Sequence, residues 1–215
     1  MISAAISRLH FPVTTLGPGR RVGVWFQGCS IRCLGCISAD TWDQGRGETT
    51  VEALLEALAP WANAADGLTV SGGEPFEQGE ALRALLEGWR GLSRQGVLVF
   101  TGFELDAVAP WLAANPGLID GLITGPYERE TPQTRALRGS DNQDLHVLTA
   151  LGASFAAYDR PATPADRRLD VMFDANGGAW FTGIPAHGDF QRLLQALEAE
   201  GHRVILTVQA DRLSR

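Results

Sequence analysis

The chain has 215 residues, 45% of them hydrophobic and 20% charged. That composition belongs to a globular chain and argues against disorder, collagen and coiled coil. Eighteen basic residues against twenty-five acidic ones give a net charge of -7, a balance that speaks against a nucleic-acid partner. Every basic residue is Arg and Lys is absent. Lysine Schiff-base chemistry and a P-loop lysine are therefore excluded. No stretch reaches the roughly 18 apolar residues that span a membrane. The segment Met1 to Pro12 lacks the long apolar run of a signal peptide, so a cytoplasmic chain without a membrane partner is expected.

Taken in chain order, short strand-like runs alternate with helix-like runs. Arg21 to Gln27 is rich in Val and aromatics and reads as a strand. Thr49 and Glu52 have capping-box spacing, and Val51, Leu54, Leu55 and Leu58 follow at helical spacing. Leu68 to Ser71 reads as a strand, and Ala81, Leu82, Leu85, Leu86 and Trp89 as a helical stripe. Val97 to Phe100 is an apolar strand, and Leu105, Val108, Trp111 and Leu112 mark a third helix, stopped by Pro116 and Gly117. Leu118 to Thr124 is the next strand. Such alternation predicts an α/β fold with parallel strands covered by helices.

Asp159 to Arg168, with two prolines among charges, reads as a linker. Beyond it, Leu169 to Phe173 and Ala179 to Thr182 flank Asn176-Gly177, a hairpin signature. A helix near Phe190 to Glu198 and a strand at Val204 to Val208 follow. The expected organisation is a core over 1–158 and a C-terminal extension over 159–215, possible as a continuation of the main sheet.

The three cysteines, Cys29, Cys33 and Cys36, form a C-x3-C-x2-C array. An odd number packed so closely is a poor disulfide framework and points to metal. Three thiolates can hold three irons of a 4Fe-4S cube and leave the fourth open, whereas most such clusters take four cysteines. Gly28 and Gly35 let the loop bend. The alternatives are a Cys3His zinc site, with His10, His146, His187 or His202 as fourth ligand, and three incidental thiols. A second motif, Thr69-Val70-Ser71-Gly72-Gly73-Glu74-Pro75, puts two glycines and an acid at a strand end. In parallel α/β folds that end builds the site, and glycines there let a ligand approach the backbone. The plain alternative is an ordinary βα turn.

Together these motifs resemble the radical S-adenosylmethionine superfamily, and within it the activating enzymes of anaerobic ribonucleotide reductase and, more loosely, of pyruvate formate-lyase. Further matches run in order: Leu16 to Arg20, Thr41-Trp42, Phe100 to Phe103, Gly125 to Tyr127 and Arg138 to Gln143. The resemblance implies a partial (β/α) barrel carrying a C-terminal hairpin-plus-helix extension. It implies a 4Fe-4S cluster on Cys29, Cys33 and Cys36, and S-adenosylmethionine against Gly35, Ile37, Ser71, Gly72, Gly73, Glu74, Pro75, Thr101 and Gly102. No catalytic side chain is expected beyond cluster and cofactor. The activity implied is reductive cleavage of S-adenosylmethionine to a 5′-deoxyadenosyl radical, which takes a hydrogen atom from a glycine of a partner reductase or lyase. A flavodoxin or ferredoxin would supply the electron.

Two departures stand out. Gly35 and Ile37 flank Cys36 where the family often has an aromatic, and Thr124 replaces the Asp of its Asp-Gly-Pro turn. The rival readings are radical modification of a peptide or small molecule, and a non-catalytic iron–sulfur scaffold or sensor. Asp40, Asp43, Glu77 and Glu80 read as solvated charges, His146 as structural, and Gly183-Ile184-Pro185 as a turn. Arg138 to Gln143 reads equally as a contact surface or as a turn closed by Ser and Asn side chains.

Overall fold

The computed structural model describes residues 1–173 and 179–201. The order is β1 (Ser3–Val13), β2 (Arg21–Phe26), β3 (Glu48–Thr50), α1 (Val51–Ala62), β4 (Gly67–Gly72), α2 (Gly79–Leu92), β5 (Val97–Phe100), α3 (Leu105–Ala114), β6 (Gly121–Thr124), β7 (Asp144–Val147), β8 (Leu169–Phe173), β9 (Ala179–Gly183) and α4 (Asp189–Ala199). Seven strands form one sheet in the order β3-β1-β2-β4-β5-β6-β7, and β8 and β9 pair as a separate antiparallel hairpin. The central strands β2, β4, β5 and β6 are parallel, and β1, β3 and β7 add antiparallel edges. Among the described residues no strand pairing joins β3 to β7, so no closed barrel forms.

The alternating side chains of the central strands explain the layers. Val22, Val24 and Phe26, Leu68 and Val70, and Val97 and Val99 point to the helix face, where Leu54, Leu58, Leu82, Leu85, Leu86 and Trp89 meet them. Trp25, Leu98 and Ile123 point to the other face, covered by Met172 of the hairpin and by Phe155 of a short helical segment, Ala150–Tyr158. Strands buried on both sides read as continuous apolar runs, and these are the ones the sequence predicts. The second helical stripe is buried as expected, at Ala81, Leu82, Leu85, Leu86 and Trp89.

Several expectations change. The first helix is capped by Thr50, which accepts from the Ala53 N–H at 3.2 Å, not by Thr49. Thr49 pairs with Ala4 in β3, and that pairing moves the helix start by one residue. The strand expected from Leu118 begins only at Gly121. The segment expected as a linker is ordered by a capping box between Thr163 and Asp166, with Arg160 bridging Asp166 at 2.8 Å. Asn176-Gly177 and the strand expected at Val204 to Val208 lie outside the described residues. β1, β3 and β7 were not expected as strands.

One buried cation fastens the amino-terminal edge of the parallel strands. Arg21, 1% exposed, donates from Nε to Thr69 Oγ1 at 2.6 Å and from Nη2 to the carbonyls of Leu68 at 2.6 Å and Gly96 at 2.7 Å. Burial lowers its pKa to about 10, so it stays charged at neutral pH. The Arg21→Met variant leaves three buried acceptors short of a donor. A loss of about 2–4 kcal/mol in unfolding free energy is expected by urea denaturation.

Candidate active site

The carboxyl ends of β2, β4, β5 and β6 open onto one cavity of about 960 Å³, which the start of α4 also lines. Such an edge is where ligand sites form in parallel sheets. Cys29, Cys33, Gly35, Cys36 and Ile37 line it from the loop after β2. Ser71, Gly72, Gly73 and Glu74 line it from the end of β4, and Thr101 and Gly102 from the end of β5. Of the expected site residues only Pro75 stays out. It is buried as the first residue of a helical turn, Pro75–Gln78.

The loop and the glycine turn are built as one unit. The Gly28 carbonyl accepts from the Glu74 N–H at 2.8 Å, and the Phe26 carbonyl accepts from the Gly73 N–H at 2.8 Å. A Cβ on Gly73 would stand 2.1 Å from the Gly28 oxygen, and one on Gly72 would stand 2.5 Å from the backbone of Phe26. The group that approaches these glycines is thus the chain's own cysteine loop, a use the sequence reading did not foresee. Gly28 and Gly35 themselves have φ of 99° and 80°, in the region that favours glycine. Arg32 adopts φ 51° without being glycine, a strained geometry of the kind that collects at ligand sites.

Two residues read as solvated charges turn out to hold this loop. Glu77 accepts from the Ser30 N–H at 2.9 Å and from the Ser30 hydroxyl. Asp40 pairs with Arg8 at 2.6 Å. Gln78 donates to the Gln27 carbonyl at 2.8 Å and accepts from the Ala5 N–H at 2.8 Å. The only sequence signal for them is that Glu77 and Gln78 follow the glycine turn directly.

Each thiol is raised above its ordinary value by burial, and Cys36 reaches about 11. The neighbouring thiols add to the shift at Cys33 and Cys36, while the Trp42 side chain opposes it at Cys36. Three ionised sulfurs here need positive charge between them, which metal binding provides. The thiols do not converge on a single-ion site among the described residues. All three thiols line the one cavity; three thiolates can hold a cluster with one iron left open, whereas a structural tetrahedral zinc site takes a fourth protein ligand.

Glu74 is 1% exposed. It accepts from the Thr101 hydroxyl at 2.8 Å, the Gly102 N–H at 2.8 Å and the Phe76 N–H at 3.0 Å. Burial outweighs these donors and pushes its pKa up to about 7. Thr101 aims the carboxylate and in turn accepts from the Phe103 N–H at 3.1 Å.

Arg138 to Gln143 forms a supporting turn. Arg138 is buried against the Ala136 and Tyr158 carbonyls and Asp159. Asn142 donates to the Pro126 carbonyl at 2.8 Å and Gln143 to the Gly125 carbonyl at 2.9 Å, so the turn shapes the cavity wall at Gly125 to Tyr127. His146 is structural as expected, meeting the Thr124 hydroxyl at 2.9 Å. Gly183, Ile184 and Pro185 line the cavity and are not merely a surface turn.

The 4Fe-4S single cluster domain family matches this chain over residues 15–146, a stretch that contains all three cysteines and the glycine turn. The chain belongs to that family. Among its relatives is the anaerobic ribonucleoside-triphosphate reductase-activating protein of Enterobacteria phage T4, 29% identical over 134 residues, covering 60% of this chain and 85% of the relative. The protein of the same name from Escherichia coli K12 is 26% identical over 154 residues, covering 65% of this chain and 96% of the relative. The pyruvate formate-lyase 1-activating enzyme of Escherichia coli K12 is 38% identical over 89 residues, where this chain spans only 35% of the relative. The resemblance drawn from the motifs is borne out, since these relatives carry the names of the two kinds of activating enzyme to which it pointed.

The Gly28–Gly73 contact predicts that Gly73→Val disturbs the cysteine loop as well as the turn. Iron retained after anaerobic reconstitution should fall well below wild type. Gly102→Ala should keep its iron, because the one close contact of its Cβ is the movable Ile31 Cδ1 at 2.7 Å, with Glu74 Oε2 at an ordinary 3.7 Å. Equal iron in both variants contradicts the assignment.

Glu74 generates a pH dependence. Its folded pKa of about 7 lies above the ordinary 4.5, so the neutral form is favoured in the fold. The stability it contributes is complete below 4.5 and is lost as pH rises through about 7. Urea unfolding of metal-free protein should therefore weaken more steeply with rising pH in this window than that of Glu74→Gln. Parallel profiles contradict it.

Proposed function

We propose that this chain is a cytoplasmic radical enzyme on a partial (β/α) barrel that installs a glycyl radical on a partner reductase or lyase. The observation that supports it best is the single cavity lined by three thiols, the Gly72–Glu74 turn and the Thr101–Gly102 strand end. Cys29, Cys33 and Cys36 would hold a 4Fe-4S cluster. S-adenosylmethionine would lie against Gly35, Ile37, Ser71, Gly72, Gly73, Glu74, Thr101 and Gly102, with Pro75 fixing the turn from behind. With both bound and one electron supplied, the site yields methionine and a 5′-deoxyadenosyl radical that takes a hydrogen atom from the target glycine Cα.

The chain's own residues then divide the work. Glu74 presents a carboxylate held by three donors, suited to accept from a cationic amine. Thr101 keeps that carboxylate aimed. Glu77 and Gln78 fix the cysteine loop from behind, so the thiols stay in place. The open sheet edge leaves a side from which a macromolecule can reach the cavity. A one-electron donor such as flavodoxin or ferredoxin serves as reductant. Residues 1–158 act as the core and 159–215 as an extension, a division consistent with the family match ending at residue 146. Among the described residues no helix is long and apolar enough to cross a membrane.

Anaerobically reconstituted protein should carry about four irons per chain. Any one of Cys29→Ala, Cys33→Ala or Cys36→Ala should abolish stable retention. With dithionite and S-adenosylmethionine, wild type should form 5′-deoxyadenosine, and faster with the reductase or lyase encoded beside it. A glycyl doublet should appear in that partner by electron paramagnetic resonance. Tight stoichiometric zinc without iron–sulfur absorbance overturns the cluster. Deoxyadenosine without a radical on any neighbouring protein overturns the glycyl substrate in favour of a peptide or small molecule.

A further inference from the structure

The cavity has a second wall, supplied by the C-terminal segment from Phe181 to Gln191. Nothing in the motifs announces it. The family match ends before it, and the two reductase-activating relatives are spanned almost fully by about two thirds of this chain.

The wall is fastened to the core at several points. Asp170 accepts from the Thr14 N–H at 2.6 Å, the Thr14 hydroxyl at 2.7 Å and the Thr15 hydroxyl at 3.0 Å. Gln133 donates to the Pro185 carbonyl at 2.9 Å, and Arg167 donates to the Gln133 carbonyl at 2.7 Å. The Arg8 guanidinium sits 5.0 Å from the Trp180 ring centre and 5.8 Å from that of Trp25. Since Arg8 also pairs with Asp40, the hairpin and the cysteine loop share one cation.

Inside the cavity the wall meets the cysteine side directly. His187 Nε2 lies 3.3 Å from the Tyr127 hydroxyl, with the rings edge-on at 77° and centres 6.4 Å apart. Tyr127 in turn lies against Gly35, where an added Cβ would stand 3.6 Å from its ring. Its backbone also reaches the Cys33 thiol. The Arg129 stem, 3.2 Å from where that Cβ would stand, and the Tyr127 ring together occupy the space left beside the last cysteine by the absence of a side chain at position 35.

The chemistry of the two walls differs. The strand-end side carries the Glu74 carboxylate. The segment from Phe181 to Gln191 turns no charged side chain into the cavity. It offers Phe181, Ile184, Phe190 and the His187 imidazole, with Thr182 and Gln191 as further uncharged polar groups. A largely aromatic and aliphatic surface with an imidazole and uncharged polar side chains matches a nucleoside, which brings a π face and hydroxyls. It presents no charged side chain to pair with a zwitterionic amino-acid end.

We propose that the segment Phe181–Gln191 is one half of the cofactor pocket and that the Tyr127–His187 pair contacts the adenosyl half of S-adenosylmethionine. This rests on the proposed reading of S-adenosylmethionine as the cofactor. His187 is then a binding residue outside the stretch that the family model matches, and the extension belongs to the site as well as to the fold.

Two readouts test it on the cluster-loaded full chain. In hydrogen exchange, S-adenosylmethionine should slow exchange across residues 179–191 of wild type. In calorimetry, His187→Ala should weaken S-adenosylmethionine about five- to tenfold, the loss of roughly one hydrogen bond. It should weaken 5′-deoxyadenosine similarly and leave methionine unaffected, with iron content unchanged. His187→Gln, which can still bond the Tyr127 hydroxyl, should recover part of the affinity. Absence of protection at 179–191 together with wild-type affinity in His187→Ala overturns the inference and leaves the extension a scaffold. If wild type binds no S-adenosylmethionine at all, the proposed function fails, and this inference with it.

Discussion

The backbone contact between Gly28 and Gly73 is the constraint on which the site depends. A cysteine loop after one strand and a glycine turn after the next are pressed together so closely that Gly73 has no room for a Cβ, while Gly28 has the space but a φ of 99° that side chains rarely adopt. The approach satisfies the Gly73 and Glu74 N–H groups at the end of β4, which would otherwise be left without partners. It also fixes where the thiols stand relative to Glu74. Parallel pairing of β2 with β4, in register from Arg21 opposite Gly67 to Phe26 opposite Gly72, brings the two strand ends level. Arg21 secures the other end of the same strands. The sheet is therefore fastened at both edges, by a buried cation at one and by a glycine contact at the other.

Electrostatics at the carboxyl edge follows from burial. Thiols and a carboxyl crowd one cavity, and burial raises all of them. A pocket that disfavours negative charge in this way is matched by groups that bring positive charge, such as irons, an amine or a sulfonium. The two acidic neighbours Asp40 and Glu77 each have a partner of their own. Asp40 is paired with Arg8, and Glu77 is occupied by Ser30.

What the sequence made legible has a physical pattern. β2, β4 and β5 were readable because burial on both faces makes them apolar runs, and the second helix because its stripe repeats at helical spacing. β1 escaped because its long, partly exposed run mixes Arg8 and His10 with apolar residues, so no clean alternation shows. β3 and β7 are short and polar, and their strand character comes from pairing with distant partners. At the site, the cysteines and the glycine turn carry local spacing that survives in one dimension. Asp40 and Glu77 carry none, since a carboxylate on a loop looks the same whether solvated or bonded to a residue dozens of positions away. The same holds for Tyr127 and His187, 60 residues apart, which meet only because the hairpin folds back over the cavity.

The central claim is that the three-thiol loop and the Gly72–Glu74 turn bind one composite group, a cluster with an iron left open for the cofactor's amino-acid end. Electron–nuclear double resonance on the reduced, reconstituted protein tests this most directly. With S-adenosylmethionine labelled at the methionyl nitrogen and carboxylate oxygen, the account predicts strong coupling of both labels to the cluster. Cluster signals that are identical with and without labelled cofactor, in protein shown to bind it, would contradict the account.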